Sequence, residues 1–231
     1  MVTKNTTDFS ALDFVNGETL LIDKPSHWTS FKVVHTIRKS INIKRVGHTG
    51  TLDPMATGLL IILTGRNTKK MKNFEGLDKT YTGNILLGKS SASMDTETEM
   101  IENKVPEELT REDLYKIRDM FLGEITQVPP MYSALKVKGK KLYELARKGK
   151  EIEREPRKIQ IKKFELTEIK LPEIMFEIRC SKGTYIRVIA NDFGEKVGCG
   201  AVLKNLRRTE IGEYSVNDAL NVEEFVQNLV S

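Results

Sequence analysis

Apolar and polar residues alternate along this chain in short stretches that predict a mixture of strands and helices. Residues 19–23, 81–87, 157–171 and 172–180 follow patterns typical of β-strands. The run of five apolar residues at positions 59–63 is short, and it predicts either a buried strand or a turn of helix.

Helical spacing of apolar residues is found in several other segments. Ser30 and Thr110 are candidate N-caps of two of these helices, and the polar, acidic residues 90–102 are predicted to be an exposed loop. The predicted helices are 30–41, 109–121, 141–148, 185–197 and 217–229. Because strands and helices do not alternate regularly, we expect an α+β fold with a mostly antiparallel sheet.

Composition fits a globular protein. The chain has 231 residues, 39% of them hydrophobic and 30% charged, which allows one large domain or two small ones. No apolar run approaches the roughly 18 residues needed to span a membrane, and the N-terminus lacks the apolar region of a secretory signal. Two cysteines and three histidines without paired spacing do not predict a metal site. We therefore expect a cytoplasmic protein.

Charge is unevenly distributed around the formal net value of +5. Residues 136–163 contain twelve Lys and Arg against four Glu, a local charge of +8 that leaves −3 for the rest of the chain. Tyr132 and Tyr143 flank or interrupt this basic segment. Clustered cations with interleaved aromatic rings are typical of RNA-binding proteins, and such binding should weaken as salt concentration rises.

Residues 47–58 form the most informative segment, with three glycines, one proline and the single carboxylate of Asp53. This composition predicts a rigid loop. Asp53 has three interpretations: an Asp-Pro turn, part of a phosphate-binding loop, or a catalytic carboxylate. The Gly-Lys-Ser/Thr ending of a phosphate loop is absent, which disfavours the second. The local sequence does not decide between the other two.

Motifs along the whole chain bear on this choice. Residues 47–58 resemble the signature of the TruB family of tRNA pseudouridine synthases. Five further segments resemble motifs of that family, in the family's order: 23–30, 79–81, 127–136, 181–187 and 206–209. His27 departs from the family pattern, which often has glycine there, and we interpret His27 as structural.

The resemblance implies the pseudouridine-synthase fold, a twisted, mostly antiparallel mixed sheet with flanking helices and a central RNA-binding cleft. It implies a single catalytic domain over residues 1–231 with a basic RNA-binding thumb at about 127–157. Many family members carry a C-terminal RNA-binding domain. Only about twenty residues follow Thr209, so we expect that domain to be missing.

The family's reaction breaks the N1–C1′ bond of uridine, turns the uracil and re-forms the link through C5, so no cofactor or metal is implied. By resemblance Asp53 is the nucleophile, Arg187 its charged partner and Tyr81 an active-site tyrosine that can stack on the base. Lys24 is expected to support the aspartate loop. Direct attack of Asp53 at C1′ and deprotonation at C2′ both stay open.

The resemblance also implies RNA contacts. The target uridine must be flipped out of its stack, and His48 is expected to fill the gap it leaves. Tyr185 and Leu206 are expected to contact the base. Five residues of the basic segment are candidates for contacts with the RNA backbone: Lys136, Lys140, Lys141, Arg147 and Lys148.

The expected substrate is the uridine at position 55 in the T-loop of tRNA, bound as the T-arm stem-loop. We expect a monomer that uses no guide RNA and contacts no membrane. Two alternatives stay open. One is a non-catalytic tRNA-binding or tRNA-folding protein that uses the same cleft, and the other is a guide-RNA-dependent enzyme within a ribonucleoprotein.

Overall fold

A computed structural model describes residues 1–137 and 139–229, without the side chains of Lys136 and Lys141. The chain divides into two compact units. The first unit comprises Met1–Tyr81 and Leu206–Ser231, and the second comprises Thr82–Asn205. This division does not test the predicted single catalytic domain with a basic thumb, which stays a prediction.

Strands and helices follow one another irregularly, as the apolar pattern predicts. The first elements are β1 (Thr19–Lys24), α1 (Ser30–Ser40), β2 (Val46–His48), β3 (Thr57–Thr64), a 3₁₀ helix (Gly65–Lys70), α2 (Met71–Glu75) and β4 (Lys79–Leu87). The next are β5 (Lys89–Ser91), β6 (Met100–Glu102), α3 (Arg111–Asp119), β7 (Gly123–Gln127), β8 (Lys136–Val137), β9 (Lys140–Lys141) and α4 (Leu142–Ala146). The last are β10 (Arg157–Lys170), β11 (Glu173–Cys180), α5 (Ile186–Val197), β12 (Ala201–Ile211), β13 (Tyr214–Ser215), a 3₁₀ helix (Val216–Asp218), β14 (Leu220–Asn221) and α6 (Val222–Asn228).

In the described residues, ten of these strands form a mixed sheet flanked by helices, which confirms the predicted α+β class. The order is β14-β1-β3-β12 in the first unit and β4-β11-β10-β7 in the second. Strands β4 and β12 contribute residues to both units. None of the described helices is both long enough and apolar enough to cross a bilayer.

Strand β3 explains the apolar run at 59–63. It pairs antiparallel with β1 and parallel with β12, so it is a central strand. Leu60 and Ile62 pack into one core cluster with α1 and α6, and the alternate residues Leu59, Ile61 and Leu63 pack into a second cluster. A strand covered on both faces needs apolar residues at every position, and this decides in favour of a strand.

The second unit has an aromatic core beneath its antiparallel strands. The Phe164 ring meets the Phe121, Phe176 and Phe193 rings at centroid distances of 6.0–6.2 Å. Strand β10 pairs antiparallel with both β11 and β7. The predicted helix over 109–121 is confirmed as α3, and Thr110 and Asp113 form its capping box.

Three sequence-based predictions need correction. The N-cap of α1 is Thr29, whose Oγ1 accepts the Lys32 N–H at 3.0 Å, and Ser30 is instead buried inside the helix. Residues 90–102 are not simply an exposed loop, because they contain parts of β5 and β6 and the buried Asp95. Helix α6 begins only at Val222, because a 3₁₀ helix and β14 precede it.

Candidate active site

Asp53 lies on the loop between β2 and β3, as the glycine and proline content of that segment predicts. Its side chain is half-buried, and its backbone carbonyl accepts the Ala56 N–H at 3.1 Å. Gly58, the second residue of β3, follows the loop with a φ of 105°, and a Cβ there would lie 2.3 Å from the Arg208 carbonyl oxygen. Only glycine fits this position, since both the conformation and the space exclude a side chain.

Two buried side chains hold the loop from the side of β1 and α1. The Lys24 ammonium donates to the Pro54 carbonyl at 3.2 Å and to the Trp28 carbonyl at 2.6 Å. The Ser30 hydroxyl accepts the Leu52 N–H at 2.9 Å and donates to the Leu52 carbonyl at 3.1 Å. The residues on either side of Asp53 are therefore tied to the core, as the supporting role predicted for Lys24 requires.

A third buried side chain holds the two ends of the loop. Arg208 of β12 is 1% exposed, and its Nε donates to the Leu59 carbonyl at 2.7 Å. Its Nη2 donates to the Gly50 carbonyl at 3.1 Å. A guanidinium donates in a rigid fork, so one side chain fixes the backbone before and after Asp53. Arg208 belongs to the motif at residues 206–209, but no role was predicted for it from the sequence.

His48 lies at the end of β2, opposite Ile62 of β3, and is half-buried. Burial lowers the pKa of its imidazole, and the nearby Arg208 charge lowers that pKa further. His48 Nδ1 and Thr49 Oγ1 are buried and have no hydrogen-bond partner in the described part of the chain.

Tyr81 and Leu206 also belong to the first unit and are nearly buried, with exposures of 8% and 7%. Tyr81 lies on β4 directly after Thr80, whose hydroxyl donates to a Glu210 carboxylate oxygen at 2.8 Å. The Thr209 hydroxyl donates to the Thr80 carbonyl at 3.2 Å. These bonds fix the strand position from which Tyr81 projects.

Arg187 lies in the first turn of α5 in the second unit and is 3% exposed. Its Nη1 donates to the Ser93 carbonyl at 2.8 Å, and its Nη2 donates to the Tyr132 carbonyl at 2.7 Å. The Nε lies 3.5 Å from an oxygen of Asp95, which is itself buried. Arg187 is therefore a buried, fixed cation and not an ordinary surface arginine at the start of a helix.

Asp95 is not among the residues predicted from the sequence. Its carboxylate accepts hydrogen bonds from the Ser93 hydroxyl at 2.5 Å and from the Glu97 N–H at 3.0 Å. These bonds orient the carboxylate towards Arg187. The signal was hidden because Asp95 stands in an acidic, polar segment that is typical of an exposed loop.

Tyr185 precedes Arg187 as the N-cap residue of α5. The buried Gln127 side chain accepts the Tyr185 N–H at 2.8 Å and donates to the Tyr185 carbonyl at 3.1 Å. Gln127, the first residue of the predicted thumb, thus fixes the backbone at Tyr185 from the end of β7.

The basic segment also belongs to the second unit. Lys140, Arg147 and Lys148 are exposed, and the Arg147 guanidinium lies 5.6 Å from the centroid of the Tyr143 ring. The side chains of Lys136 and Lys141 lie outside the described part of the chain, as does Lys138.

A second basic region surrounds the aspartate loop in sequence. Between positions 24 and 74 there are ten Lys and Arg but one acid, which is Asp53. Residues 24–74 therefore have a net charge of +9, although all residues outside 136–163 together have a net charge of −3. A lone carboxylate among cations suits a site for a polyanion.

Comparisons with known proteins agree with the motifs. The model of the TruB family pseudouridylate synthase N-terminal domain matches residues 38–186. The model of the tRNA pseudouridylate synthase B C-terminal domain matches residues 187–231. The absence of a further RNA-binding domain stays a prediction.

Curated relatives match over most of their length. A tRNA pseudouridine synthase B of Chloroherpeton thalassium is 48% identical over 220 residues, which are 93% of this chain and 91% of the relative. The protein of the same name from Flavobacterium johnsoniae is 45% identical over 224 residues, 94% of this chain and 98% of the relative.

Solved structures share the fold. A chain in the crystal structure of a Cbf5-Nop10-Gar1 complex is 27% identical and superposes with a TM-score of 0.70. The match covers 93% of this chain but 54% of the solved one, so this chain spans about half the length of that protein.

Proposed function

This chain belongs to the TruB family of pseudouridylate synthases, and we propose that it isomerises uridine to pseudouridine at position 55 in the T-loop of tRNA. The observation that carries the proposal is the anchored loop, on which a half-buried Asp53 is flanked by residues bound to Lys24, Ser30 and Arg208. A carboxylate that must meet one atom of a bound sugar benefits from such a rigid support, because a small displacement reduces the rate strongly.

The reaction needs an ionised carboxylate near C1′ of the ribose. In our proposal Asp53 is that group and acts as the nucleophile. Burial beneath bound RNA disfavours the charged form of a carboxylate, and a nearby cation opposes this effect. We assign that electrostatic role to Arg187, whose guanidinium stays charged throughout the reaction.

Asp95 becomes part of this scheme as a positioning residue for Arg187. Two carbonyls and the Asp95 carboxylate hold the guanidinium in one orientation. A cation held in this way needs no reorganisation when charge develops at the sugar, and such preorganisation is a large part of electrostatic catalysis.

Flipping the target uridine out of its stack gives the enzyme access to the N1–C1′ bond. The proposed contacts with the extruded base are those of Tyr81, Tyr185 and Leu206. We place His48 in the gap left by the base, because burial favours its neutral imidazole, which can stack between bases. The basic residues Lys136, Lys140, Lys141, Arg147 and Lys148 are proposed contacts with the RNA backbone.

Asp53→Asn tests the central assignment, since it keeps the size of the side chain and removes its charge. We expect pseudouridine formation in a T-arm transcript to be lost, with tRNA affinity within about twofold of the parent. Release of tritium from C5-labelled tRNA measures the reaction. Asp119→Asn, on an exposed carboxylate of the second unit, is the matched control and should retain full activity.

Tritium release by Asp53→Asn would show that Asp53 is not the nucleophile. Failure of the unaltered protein to form pseudouridine, with tRNA still bound, would favour a non-catalytic tRNA-binding or tRNA-folding protein. Activity of the purified chain on a bare T-arm hairpin separates our proposal of an enzyme that acts as a monomer from one that requires a guide RNA.

A further inference from the structure

Phe31 is exposed, unlike the other Phe, Tyr and Trp rings of this chain. The protein has nine Phe, six Tyr and one Trp, all at described positions, and the other fifteen of these side chains are buried or half-buried. Phe31 is 65% exposed, on the first turn of α1. Single exposed apolar residues are common on protein surfaces, so the surroundings of Phe31 decide whether it has a role.

Two ring contacts are formed by Phe31 and its neighbours in the chain. The Phe31 and His35 rings are stacked, with centroids 6.4 Å apart and planes 25° from parallel. The Lys32 ammonium lies 3.9 Å from the centroid of the Trp28 ring. We call the residues Trp28, Phe31, Lys32 and His35 the aromatic platform. Flat rings beside a cation are the usual means of binding an unpaired nucleic-acid base.

Charge around the aromatic platform favours a polyanion. The sequence has no acidic residue between Asp23 and Asp53, and α1 itself carries none. Lys32 and Lys39 are exposed, and neither forms an ion pair with the described part of the chain. A docking site for another protein usually tolerates acids as well as bases, whereas a phosphate-binding surface excludes acids.

The aromatic platform is also attached to the aspartate loop. Phe31 follows Ser30, whose hydroxyl binds both backbone polar atoms of Leu52, the residue before Asp53. The turn that leads into α1 is strained at His27, which has a φ of 61° although it is not glycine. Backbone strain of this kind concentrates at functional sites.

We propose that the aromatic platform is a second RNA contact, at which an unpaired base of the substrate RNA outside the target nucleotide stacks on Phe31. Lys32 and Lys39 bind phosphates of the same segment. This inference rests on the proposed function for its ligand, an RNA substrate. It adds a contact outside both the aspartate loop and the basic segment.

Phe31→Ala is the decisive variant, because the side chain is exposed and its removal leaves the core intact. We expect the Kd for unmodified tRNA, measured by filter binding with the full chain, to rise about tenfold. Phe31→Tyr keeps a flat ring and should retain the parent affinity. Phe31→Leu keeps apolar area without a ring and should behave like Phe31→Ala.

Salt dependence separates the two kinds of contact. Phe31→Ala should leave the slope of log Kd against log salt unchanged, because stacking releases no counterions. Lys32→Gln should reduce that slope by about one unit, as expected for the loss of one phosphate contact. Met120→Ala, at a residue of the second unit that is 60% exposed, is the control for removal of exposed apolar area and should change neither quantity.

An unchanged Kd for Phe31→Ala overturns the proposal. So does equal weakening by Phe31→Ala and Phe31→Tyr, since that would exclude stacking. Concentration-dependent self-association that Phe31→Ala abolishes, with tRNA affinity unchanged, would identify a protein-docking surface instead. Because the readout is RNA affinity, loss of the proposed catalysis in Asp53→Asn does not affect it, and the two proposals can fail separately.

Discussion

Two buried arginines, one in each unit, show two ways in which this fold uses a cation. Arg208 and Arg187 are 1% and 3% exposed, and each donates to two backbone carbonyls. In the described part of the chain, Arg187 forms an ion pair with the Asp95 carboxylate and Arg208 forms none. Within the described residues, the hydrogen bonds of Arg208 go to carbonyls alone.

The difference indicates different tasks. Arg208 bonds Gly50 and Leu59, on either side of the aspartate loop, so it acts on backbone geometry. Arg187 belongs to a network in which its carboxylate partner is itself held by Ser93 and Glu97. A fully bonded network fixes a charge in position, whereas a guanidinium on carbonyls fixes a loop. Substitutions in the Arg187 network and around the aspartate loop test this distinction.

Asp95→Ala should have the largest effect on stability. Removing one member of a buried ion pair costs about 3–5 kcal/mol, because the remaining charge loses its compensation. We expect a loss of about 3 kcal/mol in urea unfolding, together with a large loss of pseudouridine formation. Glu102→Ala, which removes an exposed carboxylate paired with Lys89, should leave the stability essentially unchanged, because an ion pair in water contributes little. Equal losses of stability in the two variants would show that Asp95 is not part of the network around Arg187.

Arg208→Met should cost about 2 kcal/mol of stability, since two carbonyls lose charged donors but no guanidinium needs to be buried. Its turnover should fall further than its tRNA affinity, because the loop loses its fixed geometry. Arg207→Met is the neighbouring control. It removes a half-exposed pair with Asp23 and should cost about 1 kcal/mol or less. A normal turnover for Arg208→Met would contradict the anchoring role.

Ser30→Ala should cost about 1–2 kcal/mol, because the Leu52 N–H and carbonyl lose their shared partner. We expect a moderate fall in turnover with unchanged tRNA affinity, measured under single-turnover conditions. Ser40→Ala, on the same helix, removes an exposed hydroxyl that binds Thr36 and Ile37 carbonyls and should change neither stability nor turnover. Identical behaviour of the two variants would mean that the Leu52 bonds do not matter.

The smallest effect should come from protonation of His48. Burial and the Arg208 charge lower its pKa in the folded protein below the value near 6.5 expected when unfolded. The unfolded chain then binds more protons in the interval between the two values, so stability falls as pH drops below about 6.5. The melting temperature of His48→Asn should depend less on pH between about 5 and 7.5 than that of the parent. Parallel curves would contradict the lowered pKa.

Sequence patterns predicted most elements because local preferences and burial agreed there. The period of two in β10 and β11 and the capping box of α3 are examples. Predictions failed where tertiary contacts override local preference. Thr29 caps α1 because Ser30 is engaged by Leu52, 22 residues away. Asp95 is buried within an otherwise largely exposed polar segment because it is the counter-charge of Arg187, 92 positions further along the chain.

Motifs and apolar periods are local properties, so the amino-acid sequence was sufficient to predict the family, the fold class and the candidate residues. The sequence also shows that Asp53 is the one acid among ten cations between positions 24 and 74. Only the tertiary structure decided what supports that carboxylate. Arg208 reaches Gly50 across 158 positions, and Lys24 reaches Pro54 across 30. Hydrogen bonds between such distant residues follow from strand pairing and burial, which no local pattern records.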